Sequence, residues 1–240
     1  MALPTLSPKE RQVRQATKRR RLLAFLSSGE CWTNQDNAAR MWGLSRDTAA
    51  TTLRGMARDH LIVREDIAVG VKARMAVFGI TPDGIACCTE APPNAAEFQL
   101  GRLQPSNIAH HLAVQRVRIV AEAAGWKSWR PGRLLYGNGL RVVPDAIGVD
   151  TKGQIVAIEL ERNVKSLKRR REVLSAHILT MAGKTHWQRV AYICDARCDA
   201  ERLRDLYLSL DYLDTPGGRT PMTDLHRARF EFIDLDDFIG

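Results

Sequence analysis

The stretch Leu140–Arg171, LRVVPDAIGVDTKGQIVAIELERNVKSLKRRR, decides how this chain is read. It runs as strand, tight turn, strand and basic helix. Val142, Val143, Ile147 and Val149 mark a first strand, and Thr151, Lys152 and Gly153 make the turn. Ile155, Val156, Ala157, Ile158 and Leu160 form a second strand, apolar enough to be central in a sheet. Asp145, Glu159 and Glu161 interrupt these apolar runs. Alternate residues of a strand point the same way, so Glu159 and Glu161 share a face, and a hairpin partner can bring Asp145 beside them. Three converging carboxylates repel one another unless a cation or a proton compensates. A hard divalent ion with oxygen ligands, Mg2+ or Mn2+, is the simplest compensation.

Pro144-Asp145, thirteen intervening residues and Glu159-Leu160-Glu161 resemble the PD-(D/E)xK signature of restriction-endonuclease-like nucleases. Glu161 stands where that signature has lysine. The bland counterpart is a solvated hairpin with scattered acids, which the flanking apolar residues disfavour. A helix is expected from about Val164 to Met181, packing through Leu167, Leu174, Ile178 and Met181. Lys165, Lys168 and Arg169–Arg171 crowd its first half, opposing the helix dipole unless a phosphate lies near. Lys165 or Lys168 is the expected replacement for the missing lysine.

The chain has 240 residues, 45% of them hydrophobic, enough for one sizeable core or two small ones. A net charge of +9 favours a polyanionic partner, nucleic acid before an anionic membrane surface. The opening MALPTLSPKE is not a signal peptide, and no apolar run reaches membrane-spanning length, so no membrane insertion is expected. The five cysteines form neither a CxxC pair nor a disulfide frame, which fits a reducing cytoplasm.

Upstream, residues 8–27 read as a helix carrying the basic run Lys18–Arg21, a phosphate contact or a solvated face. Between 33 and 80 lie two short helices around a Gly43-Leu44 turn, capped by Thr33 and Ser45. Two strands, Leu61–Arg64 and Ala73–Ile80, follow with Val69–Lys72 at the tip. This is the order of a winged helix-turn-helix. GLSRDTAATTLRGMARDHLI resembles the recognition region of bacterial winged helix-turn-helix regulators, and TPDG at 81–84 the segment after their wing. On that pattern Arg46, Asp47, Thr51, Arg54 and Arg58 occupy the exposed face, with Lys72 and Arg74 near the wing. Arg46 and Thr51 suit base edges, while Arg54, Arg58 and Lys72 suit phosphates.

Residues 91–105 contain Pro92, Pro93, Gly101 and Pro105 and read as a linker. The expected domains are therefore 1–90, a winged helix, and 106–240, a restriction-endonuclease-like half joined to it by that linker. In the helix expected over 106–125, His111, Gln115, Arg118 and Glu122 share a polar face, from which His111 is a candidate for the site. Arg133–Tyr136 is expected as a strand entering a Gly137–Gly139 hairpin turn. Later segments, Arg189–Cys194, Ala200–Leu210 and Arg229–Leu235, alternate strand, helix and strand, which predicts a mixed α/β sheet, or α+β in overall class.

HHLAVQRVRI (110–119), VVPDA and ELERNVKSLKRRR together resemble the replication-relaxation family of plasmid proteins, and within it the MOBC-class mobilisation relaxases. The resemblance covers roughly residues 20–190. It implies nicking of one DNA strand at a plasmid origin of transfer with a divalent metal, together with an accessory mobilisation protein and a coupling ATPase as partners. A homodimer is a separate expectation, not drawn from the resemblance. Asp145 and Glu159 are the expected metal ligands and Glu161 a further ligand or the base, with Lys165 or Lys168 on the transition state and metal-activated water preferred to Tyr136 as nucleophile. The competing expectations are a DNA-binding regulator with an inactive nuclease-like half and an endonuclease that cuts both strands.

Overall fold

The computed structural model describes residues 7–69, 73–137, 139–183, 186–195 and 197–239, the last of them by its backbone alone. The chain is a mixed α and β protein in two compact units, Met1–Gln115 and Arg116–Gly240.

In the first unit, α1 (Pro8–Phe25) starts from a capping box between Ser7 and Glu10 and buries only Leu22, Leu23 and Phe25. It ends two residues earlier than expected, because Leu26–Glu30 widens into a turn closed by the Cys31 amide on the Leu26 carbonyl, 2.9 Å. β1 (Trp32–Asn34) leads directly into α2 (Gln35–Trp42). The cap of α2 is Asn34, whose side chain accepts from the Asn37 amide, and not Thr33. Thr33 lies in β1 and gives its hydroxyl to Gln115 Oε1 at 2.8 Å. Gly43 closes α2 at φ +61°, a backbone region that a Cβ disfavours, and Ser45 caps α3 (Arg46–Arg58) as expected. Ala49, Leu53 and Met56 bury the inner face of α3 completely.

β2 (Ile62–Ala68) and β3 (Arg74–Ile80) pair antiparallel from Ile62↔Ile80 to Ala68↔Arg74, and β1 joins the other edge of β3. The expected tip residues Gly70–Lys72, Lys72 among them, lie outside the described residues. α4 (Pro82–Ala86) is capped by Thr81. Residues 91–105 belong to the first unit. The Phe98 amide reaches the Ile80 carbonyl at 2.9 Å, and its ring covers Gly79, where an added Cβ would meet it at 2.1 Å. The irregular composition of this segment thus accompanies close packing on β3. The division between units falls inside α5 (Ile108–Ala123), after Gln115.

The second unit is built on a five-stranded sheet. Its strands are β4 (Lys127–Pro131), β5 (Ala146–Val149), β6 (Ile155–Glu161), β7 (Arg189–Cys194) and β10 (Phe230–Asp234), in the order β10-β7-β6-β5-β4. β10, β7 and β6 run parallel, while β5 is antiparallel to both its neighbours. α6 (Leu167–Ala182) and α7 (Ala200–Leu208) pack through Leu174 and Leu203 into a cluster with Ala157, Trp187, Tyr192 and Tyr207. A hairpin of β8 (Tyr212–Thr215) and β9 (Gly218–Pro221) follows α7. The short α8 (Asp224–Arg227) precedes β10, and α9 (Leu235–Ile239) follows it.

Three expectations are corrected here. Arg133–Tyr136 is not a strand: Gly132–Leu134 forms a 3-10 turn, Tyr136 is 72% exposed, and the strand is β4 instead. The chain turns because the Gly132 amide donates to the Asp145 carbonyl at 2.7 Å, and a Cβ on Gly132 would lie 2.1 Å from the Pro144 carbonyl oxygen. The first strand of the deciding stretch starts at Ala146, after Pro144, whose ring nitrogen has no ladder donor. α6 begins at Leu167 behind a Ser166 cap, so Lys165 precedes the helix; Leu167 is 51% exposed, and Arg170, Val173, Leu174 and His177 take the inner face. Tyr212 begins β8. Among the described residues no helix is long and apolar enough to cross a membrane.

Candidate active site

The ladder of β5 and β6 pairs Ala146 with Ile158, so the same register continued by one residue sets Asp145 level with Glu159. Asp145 Oδ2 accepts from the Leu160 amide at 2.7 Å, which ties the carboxylate to the neighbouring strand. Glu159 and Glu161 stand two apart on β6, on the face that Ala157 presents to α6 and α7. Both are buried, and each is met by a residue from that helical layer or from the turn leading into it. His177, fully buried on α6, places Nε2 3.0 Å from Glu159 Oε1. Lys165 Nζ donates to Glu161 Oε1, and the Tyr207 hydroxyl of α7 reaches the same oxygen at 3.5 Å.

The acids are close enough to feel one another. Burial raises the pKa of Glu161 above the usual carboxylate range. The Lys165 ammonium opposes that rise, and the charges of Glu159 and Asp145 add to it. Burial and then the charge of Glu161 raise the Tyr207 phenol, so it remains a proton donor across the working pH range. Tyr192, paired with Glu159 across β6 and β7, is likewise raised by burial first and by Glu159 second. Arg170 sets its guanidinium 5.8 Å from the Tyr207 ring centre and donates to the Leu206 carbonyl, which fixes α6 against α7 beside Glu161.

The donor chemistry of Asp145, Glu159 and Glu161 suits a hard cation, and the Lys165 ammonium already stands in as a cation on Glu161. As the side chains lie, however, no group of three or more His, Cys, Asp or Glu residues among the described residues is gathered to hold a metal ion.

Of the expected residues, Asp145, Glu159, Glu161 and Lys165 come together. Lys168 is exposed on the first turn of α6. His111 is exposed in the first unit, edge-on to Trp32 at 6.3 Å and to His110 at 6.1 Å. Its strip-mates have structural partners. Gln115 donates to the Trp32 carbonyl at 2.7 Å and accepts from Thr33 and Asn37, while buried Arg118 pairs with Glu122 at 2.7 Å.

His177 and Arg170 were missed. A histidine three and four residues beyond Leu174 and Val173 sits on the buried face of a helix, where it needs a polar partner, and that signal was legible. Tyr207 was legible only as packing.

On α3, Arg46, Asp47, Thr51, Arg54 and Arg58 are all exposed. Arg46 pairs with Asp36 at 2.7 Å, Thr51 gives its hydroxyl to the Asp47 carbonyl, and Arg54 donates to Thr51 Oγ1 at 3.1 Å. Arg58 is 82% exposed in its side chain. Arg74 donates to the Asp66 carbonyl at 2.8 Å, on the hairpin.

Compared with protein-family models, curated proteins and solved structures, the chain matches none.

Proposed function

We propose that this chain is a DNA relaxase that nicks one strand at a plasmid origin of transfer with the help of a divalent metal. Its first unit is read as a winged helix-turn-helix and its second as a restriction-endonuclease-like domain. The observation that carries the reading is the gathering of Asp145, Glu159 and Glu161, with Lys165, where β5 and β6 meet at the parallel-to-antiparallel change of the sheet. The exposed arginines of α3, on a chain of net charge +9, support sequence choice by the first unit.

Asp145, Glu159 and Glu161 would hold Mg2+ or Mn2+, which when bound polarises the phosphodiester and offsets charge on the leaving oxygen. The chain's own residues prepare that site. His177 fixes the rotamer of Glu159, and the Leu160 amide fixes Asp145. Glu161, met by Lys165 and Tyr207, serves either as a further ligand or as the base that takes the proton of the attacking water. Lys165, held at the mouth of α6 rather than within it, exchanges its contact with Glu161 for the phosphate of the scissile strand. Tyr136, outside any strand, is not assigned to the chemistry.

One observation favours the regulator reading: Lys165 and His177 contact Glu161 and Glu159 directly, so both acids have protein partners. Incubating supercoiled plasmid carrying the cognate origin of transfer with the protein and Mn2+ separates the readings. Open circles support the relaxase. Linear product supports an enzyme cutting both strands, and unchanged plasmid in the presence of accessory mobilisation protein supports the regulator.

A further inference from the structure

Tyr212 begins the β8–β9 hairpin, and two guanidinium groups lie over its ring. Arg171 of α6 has its Cζ 4.1 Å from the ring centre, and Arg219 of β9 has its Cζ 4.4 Å from it. Each stack is favourable alone, because the ring face is electron-rich and guanidinium is only weakly hydrated. Together they hold two like charges on one ring, and that arrangement is eased by an anion.

Neither Arg171 nor Arg219 forms an ion pair among the described residues. Asp214, the register partner of Arg219, is exposed and makes no ion pair with it. Arg171 Nε is buried and has no hydrogen-bond partner. The hairpin is anchored to α6 by the Asp214 amide, which donates to Ser175 Oγ at 2.8 Å, so the pair is held in place rather than loosely exposed.

Its position along α6 gives this arrangement a purpose. Arg170 turns toward Tyr207, whose hydroxyl reaches Glu161, while its neighbour Arg171 turns toward Tyr212. Arg171 thus follows Arg170 in the chain but, about 100° further round α6, faces the β8–β9 hairpin. We propose that Arg171, Tyr212 and Arg219 form a clamp for the phosphodiester backbone of a DNA strand. The ring fixes the spacing of two phosphate-binding forks and guides that strand past Asp145, Glu159 and Glu161. This rests on the DNA-cutting reading above for its polyanion, but not on any cutting step.

The test uses the full chain, a fluorescently labelled oligo(dT) strand and EDTA, with affinity measured by anisotropy across a salt series. Each phosphate contact on a single strand contributes about 0.7 to the slope of log K against log salt. Arg171→Ala and Arg219→Ala are each expected to flatten the slope by about that much, and the double variant by about twice as much. Tyr212→Leu, which keeps both charges, should weaken binding while changing the slope least. Arg219 is exposed on the hairpin, so its single variant decides the matter if Arg171→Ala proves unfolded. Wild-type slope and affinity in Arg219→Ala and in the folded double variant would overturn the clamp, as would a wild-type chain that does not bind the strand. Flattened slopes from a chain that never nicks plasmid leave the clamp standing and remove the relaxase. Nicking with unchanged slopes does the reverse.

Discussion

His177 Nε2 lies 3.0 Å from Glu159 Oε1, and both residues are buried, the histidine completely. An unpaired buried polar group costs about 1–3 kcal/mol, and a charged carboxylate more, so this contact supports the strand as well as orienting the acid. His177→Leu is expected to lower unfolding free energy by that amount, and His177→Gln, which can still donate, by clearly less. The Mn2+ concentration for half-maximal nicking should rise in His177→Leu and recover in His177→Gln. Equal stability and metal dependence in both variants would show that the contact does not position Glu159.

Gly132 controls the site from outside it. Its amide holds the Asp145 carbonyl at 2.7 Å, and a Cβ there would collide with the Pro144 carbonyl oxygen, a backbone atom that cannot swing aside. Gly132→Ala should destabilise the chain by about 1–3 kcal/mol, as overpacking does, and should displace Asp145. Urea unfolding together with the nicking rate checks this. Unchanged values would mean that the backbone around Gly132 can give way to a Cβ.

Glu161 should make stability depend on pH. Burial raises its pKa, so folding favours the protonated form. The stability linked to that proton is complete below the ordinary carboxylate range and is lost as pH rises through the raised value. Glu161→Gln, uncharged at every pH, should therefore unfold at a higher temperature than wild type at neutral pH, with the difference shrinking toward acid. A difference that grows toward acid would show that the Lys165 contact outweighs burial.

On the proposed reading, Arg46 reads bases and Arg58 contacts phosphate. Arg46 begins α3 and is steadied by Asp36 at 2.7 Å, whereas Arg58 ends it with its side chain 82% exposed and 3.9 Å from Asp59. Arg46→Ala in the full chain should cost roughly 1–3 kcal/mol on cognate duplex and little on random duplex, if its fork reads a base. Arg58→Ala should weaken both duplexes alike. Competition titrations with the two DNAs show which holds; equal losses for Arg46→Ala would remove its base-reading role.

Much of this arrangement was legible in the sequence because local chemistry decided it. Ser45 and Gly43 bounded α3 and α2 as read, and alternation on β6 put Glu159 and Glu161 on one face. What was not legible depended on contacts distant in sequence. Thr33 looked like a cap until Gln115, far along the chain, claimed its hydroxyl. Arg133–Tyr136 had strand composition, yet the close approach of Gly132 to Pro144 and Asp145 bends the chain there. Residues 91–105 had linker composition, yet Phe98 finds a flat seat on Gly79. The partners of the acids were hidden for the same reason. His177 and Tyr207 come from two helices beyond β6, and only packing brings them to Glu159 and Glu161.

The central claim is that Asp145 and Glu159 serve a metal-dependent cut, and isosteric variants test it most directly. Asp145→Asn can still accept from the Leu160 amide and Glu159→Gln can still meet His177, so both should fold and bind DNA as wild type does. With supercoiled plasmid carrying the cognate origin and Mn2+, wild type should yield open circles that EDTA abolishes. Both variants should nick about 100-fold or more slowly, the scale of losing one preorganised electrostatic contact. Wild-type nicking by both folded variants would contradict the account.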